Sequence, residues 1–145
     1  MTGVNTIVRP VATERRPRLS LWLLRIAATA HLVLALAQPV LAGLFLTGSV
    51  DAIQVHSVLG AAMALTGQAL IVSAIAYVVA RGRLWVLPAM VVLFLAVGLQ
   101  IGMGHARVLQ LHVPLGVAIV TASALLAIWV WTPSAARPRG NGGNR

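Results

Sequence analysis

The chain reads as an all-α integral membrane protein: an up-down-up-down four-helix bundle built from two pseudo-repeated hairpins, with both termini in the cytoplasm. Three observations predict this. Of 145 residues, 59% are hydrophobic and 9% charged, against about 25% charged in a soluble domain, and the mean hydropathy is +0.93. Four long apolar stretches are separated by short polar breaks. A histidine-centred motif also occurs twice, as "IQVHSVLG" (53–60) and "LQLHVPLG" (109–116).

The elements follow in order. Residues 1–18, including "VRPVATERRPR", are polar and Arg/Pro-containing and read as a disordered basic cytoplasmic arm. The transmembrane domain covers 19–131, with spans at about Leu19–Leu46, Ile53–Ala80, Leu84–Gly104 and Leu109–Trp131. Each is long enough to cross roughly 30 Å of hydrocarbon as a helix. Pro39 is expected to kink the first span. Asp51 can cap the second, with Gln54 three residues on. Pro114 belongs in the first turn of the fourth, since deeper it would break the ladder. The connections "TGSVDA", "RGR" and "HARV" are too short for anything but antiparallel neighbours. Residues 132–145, "TPSAARPRGNGGNR", read as a disordered cytoplasmic tail.

All eleven basic residues are Arg. Arg9, Arg15, Arg16, Arg18, Arg25, Arg81, Arg83, Arg137, Arg139 and Arg145 fall on one side of the bilayer and Arg107 alone on the other. Positive charge stays cytoplasmic, so both termini are assigned inside a bacterial inner membrane. Trp22, Trp85, Trp129 and Trp131 mark the same inner boundary as interfacial anchors. The net charge of +9 thus reports topology and contact with anionic lipid, not nucleic acid. Arg25 reads as a snorkelling anchor.

Composition also excludes. With no Cys there are no disulfides, thiolate-ligated metals, iron–sulfur clusters or covalently attached haem. The first apolar run is too long for a cleavable signal peptide. There is no nucleophile–base pair, phosphate-cradling glycine motif or paired carboxylate. The acids are Glu14 and Asp51, both outside the spans, which argues against a carboxylate proton relay.

The repeat has an offset of 56: His56 maps to His112, Gln54 to Gln110, Leu59 to Leu115, Gly60 to Gly116 and Gly48 to Gly104. Both histidines then lie near the outer boundary, on helices that occupy one diagonal of the bundle. With neighbouring axes roughly 8–10 Å apart, that diagonal is about 11–14 Å, which suits two imidazoles gripping one iron at about 2 Å each. Gly60, Met63 and Gly67 continue the stripe below His56, and Gly116, Ile119 and Ser123 that below His112. The small residues leave room for a flat macrocycle, a role also open to Gly98 and Gly102 on the third span. Arg107, the one basic side chain on that side, is the candidate partner for haem propionates. The cofactor-binding set is therefore His56, His112, Gly60, Gly116, Arg107 and Met63, with His56 and His112 as metal ligands of a haem b.

"VHSVLG" and "LHVPLG" at the outer starts of alternate helices resemble the bis-histidine b-haem bundle that forms each half of heme A synthase, and related small bacterial four-helix membrane proteins. The resemblance covers roughly residues 20–131 and implies that His56 and His112 are the axial ligands. The chain departs from the family where heme A synthase has a glutamate one turn before a haem-ligating histidine: here that position is Ile53. The outer-loop cysteines of many members are also absent. The departures point away from oxidative haem chemistry and toward electron transfer or haem handling, so no catalytic residue is assigned.

Other readings stay open. The histidines can be interfacial residues satisfied by headgroups, water or Gln54 and Gln110, in a cofactor-free interaction or assembly subunit. A quinone pocket can form near His31, Gln38 and Gln68. His31 lies deeper, with Gln68 at matching depth as its expected hydrogen-bond partner. His31 with Met90 is a candidate ligand pair for a second haem. His105 reads as a solvated loop residue and Gly43 as a packing position. Partners besides the bilayer would be a redox protein, a respiratory-complex subunit or a second copy. Because the chain lacks Cys, its topology is directly testable: Ser49→Cys should label with an impermeant thiol reagent in intact cells, and Asn141→Cys only after lysis.

Overall fold

The computed structural model describes residues 18–139. The expected arm, apart from Arg18, and the end of the tail lie outside the described residues. Helix α1 spans Leu19–Leu46, α2 Asp51–Val79, α3 Val86–His105 and α4 Leu109–Trp131, with a single turn, α5, at Pro133–Ala136. All four long helices are apolar enough to cross a membrane. The fold is therefore all-α, and the helix limits fall within a few residues of those expected.

Each helix packs against two neighbours: α1 on α2 and α4, and α3 on α2 and α4. The diagonals are α1–α3 and α2–α4, so the two repeated histidines face each other across the bundle as expected. The core repeats too. On α1, Leu24, Ala28, His31 and Ala35 are buried, and so are Val86, Met90, Leu93 and Val97 of α3, each 62 positions later. On α2, Met63, Gly67 and Ala74 are buried, matched 56 positions later by Ile119, Ser123 and Val130 on α4.

Local details correct three expectations. The Asp51–Gln54 capping box does not form. Val50, at the N-cap, is already helical (φ −62°, ψ −37°) and no side chain caps the helix. Ser49 O and Val50 O accept from Ala52 N and Ile53 N instead, whereas a side-chain cap needs an extended N-cap residue. Pro114 falls in the second turn of α4, not the first; the carbonyl it deprives of a donor is that of Gln110, an exposed residue. The stretch expected to be a disordered tail is ordered as far as residue 139.

That segment is held by Tyr77. The Tyr77 side chain is buried and its hydroxyl donates to Ala135 O at 2.9 Å. Its ring packs edge-on to Trp129, which in turn meets Trp85. Beyond α5, Arg139 N donates to Arg81 O at 2.8 Å. At the end of α2, Gly82 N bonds back to Tyr77 O and Arg81 N to Val78 O, the paired bonds of a Schellman turn. Arg81 takes the left-handed position (φ 65°) that is usually left to glycine. Glycine is required one residue later instead, because a Cβ on Gly82 would overlap the Tyr77 ring.

Arg25 reaches toward the tryptophan end of the bundle and is covered by protein there. It is 7% exposed, and its Nε donates to Val130 O at 2.9 Å. The guanidinium lies 5.1 Å from the Trp22 ring centre and 4.9 Å from that of Trp131. The carbonyl end of α4 and two aromatic faces take the place of a carboxylate.

Gly82→Ala is expected to cost about 1–3 kcal/mol, the scale of overpacking against a side chain that cannot move aside. Gly43→Ala, where a Cβ meets nothing within 4 Å, should leave stability unchanged or raised. Reversible unfolding in mixed micelles measures both.

Candidate cofactor site

His56 enters the bundle from α2 and His112 from α4. Both are half-buried. Their ring centres are 6.2 Å apart and the ring planes are tilted by 50°. Each is held by the helix that precedes it: His56 Nδ1 lies 3.2 Å from Gln38 O on α1, and His112 Nδ1 lies 2.9 Å from Gln100 O on α3. A carbonyl oxygen only accepts, so Nδ1 carries the proton in both rings and Nε2 keeps its lone pair. This is the tautomer of a metal-ligating histidine whose second nitrogen is fixed by a backbone carbonyl.

Both rings line a cavity of about 380 Å³, within the usual size range of small-molecule sites. His56, His112, Gly60, Gly116, Arg107 and Met63 all line it. The six positions singled out from the sequence are thus brought together. Met63 and Ile119, both buried, close the cavity on the inner side. Below them the stripe is filled. A Cβ on Gly67 would meet the Phe94 ring at 2.8 Å, and Ser123 bonds back to Ile119 O.

The glycines differ in what they do. A Cβ on Gly60 would meet nothing within 4 Å, so this position opens the cavity wall. A Cβ on Gly116 would come 2.9 Å from Gln100 Nε2. Gly98 and Gly102 are exposed with open space around them, so neither faces the cavity or a neighbouring helix. The α3 glycine that matters is Gly104, where a Cβ would stand 2.9 Å from His112 Cε1.

Sequence reasoning had the wrong glutamines. Gln54 and Gln110 are exposed and do not line the cavity, because two residues along a helix is about 200° around it. Gln38 and Gln100 do line it. Besides offering their carbonyls, each has a buried amide atom with no partner: Nε2 of Gln38 and Oε1 of Gln100. Buried polar atoms are nearly always satisfied, so this pair marks the cavity as a place for something polar at its edge. The readable signal was their own spacing of 62, which does not match that of the histidines.

At the mouth, His105 and Arg107 line the opening. His105 Nδ1 donates to Ile101 O. Arg107 is left-handed (φ 56°), in the turn where Val108 N bonds to Met103 O. Ile53 also lines the cavity, and no acidic residue among the described ones does. Among the described residues no three His, Cys, Asp or Glu side chains gather as a metal site.

His31 is separate. It is 1% exposed, and its partner is Thr66, not the exposed Gln68. Thr66 Oγ1 donates to Met63 O, so it accepts from His31 Nδ1 at 2.8 Å, leaving His31 Nε2 buried without a partner. Met90 is likewise buried, at 1%. Comparison with protein families, curated proteins and solved structures finds no match.

Gly104→Ala should dislodge the His112 ring and little else. The expected result is loss of the His112 Nδ1–H resonance, assigned by its absence in His112→Ala, with the His56 resonance and the helix content retained.

Proposed function

We propose that this protein is a multi-pass membrane protein that binds one b-type haem, with His56 and His112 as axial ligands, for electron transfer or haem handling. The observation that carries the reading is the paired histidine geometry. Two imidazoles trans on one iron have ring centres roughly 6 Å apart, from two metal–nitrogen bonds of about 2 Å plus the distance from each Nε2 to its ring centre. The separation here is 6.2 Å.

The donor set favours a macrocycle over a bare ion. Two imidazoles fill two positions, and no third His, Cys, Asp or Glu among the described residues is placed to add another. The remaining four donors must arrive with the metal, as in a porphyrin. Gly60 leaves open space on one face. Arg107 and His105 at the mouth would meet the propionates, and Gln38 and Gln100 would offer amide groups to the macrocycle's rim.

The haem would supply one-electron redox chemistry. With His56 and His112 both holding the iron, no open position would be left for substrate. The protein also walls the cavity with Ile53 where oxidative chemistry in heme A synthase uses a glutamate. Both features favour an electron carrier over an oxidase. The arginine distribution supports N-in/C-in topology in a bacterial cytoplasmic membrane, with the cavity at the outer face. A redox partner would then approach from that side.

Protein purified from haem-supplemented cells should show a Soret band and, after dithionite, sharp α and β bands. His56→Ala and His112→Ala should each abolish the six-coordinate spectrum while the helical fold survives. Arg107→Gln should keep the pigment but release it faster to a haem acceptor. A colourless wild-type preparation would leave the cofactor-free interaction subunit as the better reading.

A further inference from the structure

The end of the bundle opposite the histidine cavity carries a second constellation. The α2–α3 turn reads Arg81-Gly82-Arg83, and the segment after α5 reads Arg137-Pro138-Arg139. These two Arg-x-Arg units are far apart in sequence, and the fold docks them side by side. Arg139 N donates to Arg81 O at 2.8 Å. Tyr77 secures both units at once, with its hydroxyl on Ala135 O and its ring against Gly82. All four arginines are exposed.

Four arginines carried on adjoining segments need counter-charge, and the described residues provide little. Asp51 is the only acidic side chain among the described residues. It begins α2, whereas Arg81 follows the end of that helix, a separation of roughly 40 Å at 1.5 Å per residue. Glu14, the one other acid in the sequence, lies outside the described residues. Helix dipoles do not make up the difference. The α2 and α4 C-termini lie at this end, but so do the α1 and α3 N-termini, and their partial charges of about half a unit cancel.

We propose that the paired Arg-x-Arg units form a binding site for the phosphate of an anionic phospholipid headgroup. Guanidinium forks match phosphate oxygens two at a time. A lipid, not a soluble phosphate, is favoured by what surrounds the site. Trp85 lies two residues beyond Arg83, and Trp22, Trp85 and Trp131 at this end are each more than 40% exposed. Exposed tryptophans mark the level of the headgroups. The site is independent of the haem reading and needs only that the bundle be embedded in a bilayer.

The test uses the full-length protein in micelles containing equal phosphatidylglycerol and phosphatidylcholine, with retained lipid counted by native mass spectrometry. The expected result is selective, saturable retention of phosphatidylglycerol, weakened about tenfold or more in Arg81→Gln/Arg83→Gln and in Arg137→Gln/Arg139→Gln. Arg15→Gln/Arg16→Gln removes the same charge from a stretch that belongs to neither Arg-x-Arg unit and should weaken retention far less. Tyr77→Phe keeps the charge but loosens the docking, and should weaken retention. If Tyr77→Phe fails to fold, the two arginine double variants, which keep Tyr77, decide the question alone. Equal retention of the two lipids, or equal weakening by the Arg15/Arg16 pair, overturns the proposal. Displacement of the lipid by millimolar inorganic phosphate also overturns it, because the ligand would then be the soluble anion.

Discussion

The bond from each histidine to the carbonyl of the preceding helix is the constraint on which the histidine end of the bundle depends. His56 is tied to Gln38 O and His112 to Gln100 O. Each bond does three things. It fixes which ring nitrogen bears the proton, it joins the two helices of one hairpin near their turn, and it sets how far the imidazole projects toward the diagonal. The two bonds together set the 6.2 Å separation of the rings. A carbonyl inside an unbroken helix is already engaged by the donor four residues on, so the histidine takes its second lone pair. The tie therefore costs the helical ladder nothing, which matters where water is scarce.

The hairpins are related by symmetry but are not equal, and this explains what could and could not be read from the chain. From tied carbonyl to histidine is 18 residues in the first hairpin and 12 in the second. The six extra residues lengthen the ends of α1 and α2 and the turn between them, so the first hairpin stands taller beyond the histidine level. A comparison at a single offset finds the α2–α4 match at 56 and loses the α1–α3 match at 62. That is why His56, His112, Gly60 and Gly116 were legible while Gln38 and Gln100 were not. The helix limits were readable because apolar runs of bilayer length allow little else. The placement of residues 132–139 was not, because it rests on contacts distant in sequence, the Tyr77 hydroxyl on Ala135 O and Arg139 N on Arg81 O. Composition places Arg25 at a boundary, and only tertiary packing shows two indoles closing over it.

The two ends of the bundle are built for different tasks. Opposite the cavity, Trp22 meets Trp131 and Trp129 meets Trp85 and Tyr77, all edge-on. These large rings fill the space between helix ends and interlock them. The histidine end has no Trp or Tyr, and its wall positions include Gly60, Gly104 and Gly116. A bundle of four equal helices could hold a cavity at either end. Here the distribution of ring volume decides it, closing one end and leaving the other open at the level of His56 and His112.

His31 shows why space and not residue type separates a candidate ligand from a packing residue. All three histidines within the bundle pass Nδ1–H to an oxygen and keep Nε2 free: His56 and His112 to carbonyls, His31 to Thr66. By hydrogen bonding alone they are equivalent. The symmetry separates them, because the partner of His56 is a histidine while the residue 62 positions from His31 is Leu93. Burial separates them further. His31 is 1% exposed with Nε2 enclosed, and His56 and His112 line a cavity. An unpartnered buried nitrogen costs on the order of 1–3 kcal/mol, so His31 is a strained element of the core, held by Thr66 and by packing. The free nitrogens of His56 and His112 instead border a space that a ligand can enter. The same lone pair is a defect in one setting and an acceptor site in the other, and what differs is the volume left in front of it.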